Sequence, residues 1–192
     1  MPPVSSQLVP LGAALPDFAL PDVDGVPVKS AELQGPALLV VFLSNHCPYV
    51  RHIESRLGAV TAELAARGLA VVAISSNDTE IKPDDGVPGL RDQIARAGFT
   101  FRYLVDATQQ AAKDFNAACT PDFFLYGADR RLAYRGAFDA ARPGSDVPVT
   151  GELLIAAVER VLAGQPVPEP HTPSLGCSIK WTPGNEPPLT LS

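Results

Sequence analysis

The chain predicts an α/β layer fold built on a central mixed β-sheet. Three observations carry that prediction. Two apolar runs, Ala37–Leu43 and Leu69–Ile74, are continuous rather than alternating, as in strands buried on both faces. Between them Ile53, Leu57, Val60 and Leu64 recur at three- and four-residue spacing, the pattern of an amphipathic helix. A late hairpin, residues 122–126 and 131–134 around Gly127-Ala128-Asp129-Arg130, adds antiparallel strands and makes the sheet mixed.

The remaining elements follow in order. An N-terminal β-hairpin spans residues 17–21 and 26–29, turning at Asp22-Val23-Asp24-Gly25. Residues 37–43 form a strand, 49–67 a helix stopped by Gly68, and 69–74 a second strand. Residues 75–87 read as a polar loop whose carboxylates are solvated. A helix over 88–97 closes at Gly98, a short strand covers 101–105, and a helix of one or two turns covers 108–116. After the late hairpin a last helix runs over 151–162. These elements make one domain, residues 1–164. From Gln165 the composition shifts: Pro166, Pro168, Pro170, Pro173, Pro183, Pro187 and Pro188 crowd the end of the chain. Residues 165–192 therefore read as a proline-rich C-terminal tail without regular structure of its own. The tail also holds Cys177, Ile179 and the single tryptophan, Trp181. Those residues predict that it docks on the domain with Trp181 partly buried.

Composition bounds the function. The 192 residues are 46% hydrophobic and 19% charged, ordinary for a globular protein, with a net charge of −6. The chain has no basic cluster, which argues against nucleic acid and anionic membrane as partners. The longest apolar run is too short to span a bilayer. Residues 1–7 lack the basic start and apolar stretch of a secretory signal. Three cysteines do not make a disulfide framework, and with no leader they suggest reactive thiols in a reducing cytoplasm. No Cys/His spacing marks a metal site, and no cofactor motif is present. His52 reads as a helix-surface residue and His171 as an idle tail residue.

The chemical signal is Ser44-Asn45-His46-Cys47-Pro48, at the joint between a buried strand and a helix. A helix N-terminus presents unpaired N–H groups and the positive end of the macrodipole. Both favour the thiolate, the nucleophilic form of cysteine. Pro48 suits the first helical turn, where no N–H is needed. The second signal is Cys119-Thr120-Pro121-Asp122. A proline directly before a central strand needs an explanation, and a cis Thr120–Pro121 bond supplies one.

These residues carry a resemblance. The order of elements, with a cysteine at a helix start and a Thr-Pro before a strand, resembles the thioredoxin fold: three layers around a mixed sheet. Pro16-Asp17-Phe18 and Ser44-x-x-Cys47-Pro48 are similar to the alkyl hydroperoxide reductase/thiol-specific antioxidant branch, the peroxiredoxin-like redoxins. Asn45–Val50, Cys119–Phe124, Tyr134-Arg135-Gly136 and Gly176–Trp181 together resemble bacterial thioredoxin family proteins. The likeness spans about residues 10 to 182.

The departures are specific. Thioredoxins carry a second cysteine three residues after the first, where this chain has Val50. Peroxiredoxins place a proline seven residues before the nucleophile, where this chain has Val40; Ser44 matches their Thr/Ser position. Their arginine falls near Thr120–Pro121 here. Arg135 and Arg51 are the available guanidinium groups, neither at that position.

The resemblance implies a thiol-dependent oxidoreductase in which Cys47 attacks a peroxide or a disulfide. Ser44 and Arg135 join it as catalytic candidates. Thr120, Pro121, His46 and Pro48 are the substrate-binding candidates. Two cysteines are candidates to resolve the adduct: Cys119 first, because its loop faces the nucleophile in this fold, and Cys177 second, through the docked tail. An external thiol such as glutathione or thioredoxin is the third route. The competing class is non-enzymatic: a peptide-binding or oxidant-sensing module along Thr120–Pro121.

Overall fold

A computed structural model describes residues 3–188. The central sheet has the order β6-β5-β4-β8-β9. Strands β4 (Ala37–Phe42), β5 (Leu69–Ser75) and β6 (Arg102–Val105) run parallel, β8 (Asp122–Gly127) runs antiparallel to β4, and β9 (Leu132–Gly136) runs antiparallel to β8. The continuous apolar run of β4 has a direct cause: all six residues are buried, and successive side chains feed two cores. Leu39 and Val41 pack with Val50, Ile53, Leu57 and Val60 of α1 (Pro48–Ala65) and with Leu154 and Val158 of α4 (Glu152–Leu162). Leu38, Val40 and Phe42 pack with Phe115, Phe124 and the N-terminal hairpin residues Phe18 and Val28. Phe115 meets Phe42 and Phe124 edge-on, at ring separations of 5.4 and 5.5 Å. The result is three layers with a mixed sheet in the middle.

The hairpin is β2 (Ala19–Pro21) with β3 (Pro27–Lys29). Its tip is held by Asp22, whose carboxylate accepts from the backbone N–H groups of Asp24 and Val26, both at 2.9 Å. Helix α2 (Val87–Ala97) lies against α1, and α3 (Gln110–Asp114) is short.

The tail departs from the sequence reading. It contains a strand, β10 (Leu175–Ser178), set between β1 (Val4–Ser5) and β7 (Cys119–Thr120) in a small antiparallel sheet. Prolines end at 173 and resume at 183, so the intervening residues have the N–H groups a ladder requires. Cys177 lies opposite Thr120, and Ser178 opposite Cys119. Gly176 permits the fit: a Cβ there would stand 2.0 Å from the Thr120 carbonyl oxygen. Ile179 is buried and Trp181 half-buried against the second core. His171 is not idle. It is buried, and its Nδ1 lies 2.9 Å from the Arg135 guanidinium.

Candidate active site

The site forms where β4 ends. Leu43 continues the ladder by donating to the Ile74 carbonyl, and the chain then bends through Ser44-Asn45-His46. Cys47 caps α1 with extended backbone, and Pro48 opens the helix. The bend is held from behind by a buried polar network. Ser44 hydrogen-bonds Thr120 side chain to side chain at 2.9 Å. Gln93 donates to the Ser44 carbonyl at 3.2 Å, and Tyr103 donates to Gln93 at 3.0 Å. Arg96 reaches both the Asn45 amide oxygen at 2.8 Å and the buried Glu54 at 2.6 Å. Paired in this way, the buried polar groups fix the turn rather than weaken it.

Asp85 was not among the residues expected to matter. The polar loop read as solvated, yet Asp85 is buried while its neighbour Asp84 is exposed. It accepts from the backbone N–H of Asn45 (2.7 Å) and of His46 (3.0 Å), and from the Asn77 amide (2.8 Å). His46 Nδ1 lies 2.6 Å from its second oxygen. Burial by itself raises the Asp85 carboxyl, but the hydrogen bonds from His46 and Asn77, with the attraction of His46, outweigh it and hold the group below the usual carboxylate range. A carboxylate that receives two consecutive backbone N–H groups sets the conformation of the residues just before the nucleophile. The sequence hint was the adjacent pair Asp84-Asp85, which does not say which member turns inward.

Cys47 is 0% exposed. As a thiol its sulfur donates to the Thr120 carbonyl oxygen at 3.2 Å. The Thr120–Pro121 peptide bond is cis. The sulfur of Cys177, brought by β10, lies 2.9 Å from that of Cys47. Both are free thiols. Burial, then the Cys47 sulfur, raises the Cys177 thiol, while Lys180 pulls weakly the other way.

The expected partners are therefore sorted by the geometry. Cys177, the second candidate, is the cysteine in contact with Cys47. Cys119 is buried on the neighbouring strand, its sulfur directed to the Pro121 carbonyl at 3.6 Å, and burial with the nearby Asp122 raises its thiol far above the ordinary range. Alternation along a strand explains the difference: Thr120 faces Ser44, so Cys119 faces away. Arg135 does not reach the thiol. It is turned to the tail, bonding Glu169 at 3.2 Å and His171 at 2.9 Å. Arg51 donates to the Asn45 carbonyl at 2.6 Å. Ser44 acts on Thr120, one step behind the sulfur. His46 is held by Asp85 beside the turn, and Pro48 is exposed at its rim. Among the described residues no group of acidic, histidine and cysteine side chains forms a metal site, and no helix is long and apolar enough to cross a membrane.

A model of the AhpC/TSA family matches residues 11–135. The chain belongs to that family. The match ends before Cys177, so the strand that delivers the second thiol lies outside it. Two solved structures resemble nearly the whole chain. A hypothetical protein of Sinorhizobium meliloti is 48% identical, covering 94% of this chain and 99% of its own, with a TM-score of 0.92. An uncharacterized conserved protein of Geobacillus kaustophilus is 42% identical, covering 96% and 98%, with a TM-score of 0.93. A secreted disulfide oxidoreductase of Mycobacterium tuberculosis, homologous to Escherichia coli DsbE, covers 74% of this chain and 94% of its own at 21% identity and a TM-score of 0.58. That likeness shows the thioredoxin fold alone. No curated protein matches the chain significantly. This AhpC/TSA redoxin thus has a thiol pair in place of the lone cysteine its sequence motif suggests.

Proposed function

We propose that this redoxin is a thiol–disulfide oxidoreductase that cycles between the Cys47 and Cys177 thiols and a Cys47–Cys177 disulfide. The observation that carries the reading is the sulfur–sulfur separation of 2.9 Å. A disulfide bond is about 2.05 Å long, so closing it needs a movement of about 1 Å, within the reach of side-chain rotation. Cys47, the cap residue of α1, is the nucleophile, and because its sulfur is fully buried it reaches a substrate disulfide when β10 moves aside. Cys177 stays protonated beside it, because burial first and then the Cys47 sulfur raise its thiol. In one turn the pair gives two electrons and two protons to a substrate disulfide. One S–S bond forms in the protein, and the substrate leaves as two thiols.

A second reading takes a peroxide as the oxidant. Family membership favours it, and so does the full burial of Cys47, which suits a small oxidant better than a protein disulfide. Against it, Arg135 is turned to the tail, and Arg51 binds the Asn45 carbonyl of the turn rather than the Cys47 sulfur. Either cycle is read as running in a reducing cytoplasm with an external thiol as reductant, a reading that the three free cysteines support. Parallel assays decide between the readings: insulin-disulfide reduction and hydrogen peroxide consumption, on the wild type, Cys47→Ser and Cys177→Ser. The dithiol reading expects insulin reduction that both variants lose. Peroxide consumption retained by Cys177→Ser, without insulin reduction, overturns it.

A further inference from the structure

The two sulfurs of the pair are not equivalent toward solvent. Cys47 is sealed, whereas Cys177 is half-buried and lines a cleft of about 240 Å³. The other walls of that cleft include His46, Pro48, Tyr49, Lys82 and Lys180. The charged side chains among its lining residues are the two lysines, on a chain whose net charge is −6. Lys180 is fixed next to the thiol: its ammonium donates to the Ser178 carbonyl at 2.5 Å and to the Ser178 hydroxyl at 3.3 Å. His46, also lining the cleft, is held by Asp85.

We infer that Cys177 is the sulfur that exchanges with the external reductant, and that its cleft selects a small thiol bearing carboxylates. The inference rests on the dithiol reading above. In the reductive half of the cycle an external thiolate RS⁻ enters the cleft and attacks the Cys177 sulfur of the Cys47–Cys177 disulfide. An S–S bond forms between R and Cys177, and the bond to Cys47 breaks. The electron pair leaves on the Cys47 sulfur, at the cap position of α1. A second RS⁻ attacks the R sulfur of the mixed disulfide, giving RSSR and the Cys177 thiolate. Two protons, one from each RSH, restore the two protein thiols. In the disulfide form β10 is tied to Cys47 and that sulfur is fully buried, so the entering thiol meets Cys177. The two lysines attract an anionic thiol and repel a cationic one.

The test uses the oxidised wild-type protein and three small thiols: glutathione, which is anionic, 2-mercaptoethanol, which is neutral, and cysteamine, which is cationic. Each rate of reduction of the internal disulfide is corrected for the thiolate fraction and divided by the rate on a small uncharged disulfide. The inference expects glutathione to exceed cysteamine by about five-fold or more, with the preference shrinking at high salt. Lys82→Glu, which leaves β10 untouched, lowers the preference, and Lys82→Glu with Lys180→Glu reverses it. Treatment with glutathione disulfide places the adduct on Cys177 in Cys47→Ser. If the disulfide forms but the three thiols react alike, or the charge reversals change nothing, the inference fails and the dithiol reading stands. If no Cys47–Cys177 disulfide forms at all, both fail.

Discussion

Asp85→Ala removes one carboxylate and strands the groups that point at it. Two are backbone N–H groups on the residues before Cys47, those of Asn45 and His46, and a third is the Asn77 amide. The Asp85 side chain is itself 0% exposed. Each buried donor left without an acceptor costs about 1–3 kcal/mol, so the two backbone groups alone give about 2–6 kcal/mol. Water can enter past the half-buried His46, which brings the expected loss to about 2–4 kcal/mol. Asp85→Asn keeps an acceptor oxygen for the backbone groups and should lose only about 1–2 kcal/mol. The effect depends on pH with a definite sign. The folded carboxyl titrates below its unfolded value, so its contribution is fully present above that value, about 3.9, and is lost as acid protonates the folded form. Urea unfolding of the three proteins at pH 7 and at pH 3 measures all of this. A loss under 0.5 kcal/mol for Asp85→Ala at pH 7, or a difference that does not shrink at pH 3, refutes the role given to this carboxylate.

Three further predictions concern the tail and the buried acid. Gly176→Ala forces a methyl group against the Thr120 carbonyl, so β10 must separate from β7; the protein should melt several degrees lower and form the Cys47–Cys177 disulfide more slowly, read by thermal denaturation and thiol titration. Deleting residues 166–192 exposes Cys47 and loses the burial of Ile179, alone worth about 2 kcal/mol; iodoacetamide should label Cys47 faster, and an unchanged melting temperature and labelling rate would contradict the docking. Burial raises Asp122 to about 8 in the folded protein. A raised folded value means that this group's contribution falls as pH rises between about 4 and 8, so the stability of Asp122→Asn relative to wild type should climb across that range and stay flat if Asp122 ionises freely.

The sequence held much of this, unevenly. Strands β4 and β5 and helix α1 were legible because their periodicity and apolar content agree, and Cys47 was legible because it sits where those patterns change. The N-terminal hairpin followed from its Gly-bearing turn. What stayed hidden depends on long-range pairing. β10 is four residues in a proline-rich context, with no alternation long enough to distinguish it from coil. Its placement opposite β7 decides that Cys177, rather than Cys119, meets Cys47. Arg135 sits next to a motif yet faces the tail, because its direction is set by which face of β9 it occupies. Asp85 looked like loop charge because composition cannot tell an inward carboxylate from an outward one.

Everything above turns on Cys47 and Cys177 forming one redox pair. Oxidising the wild-type protein with one equivalent of diamide and mapping the non-reduced peptides by mass spectrometry tests it most directly. The expected result is a single linked pair joining the Cys47 peptide to the Cys177 peptide, with Cys119 left as a free thiol. A Cys47–Cys119 link, or a protein in which Cys47 oxidises without linking to Cys177, would contradict it.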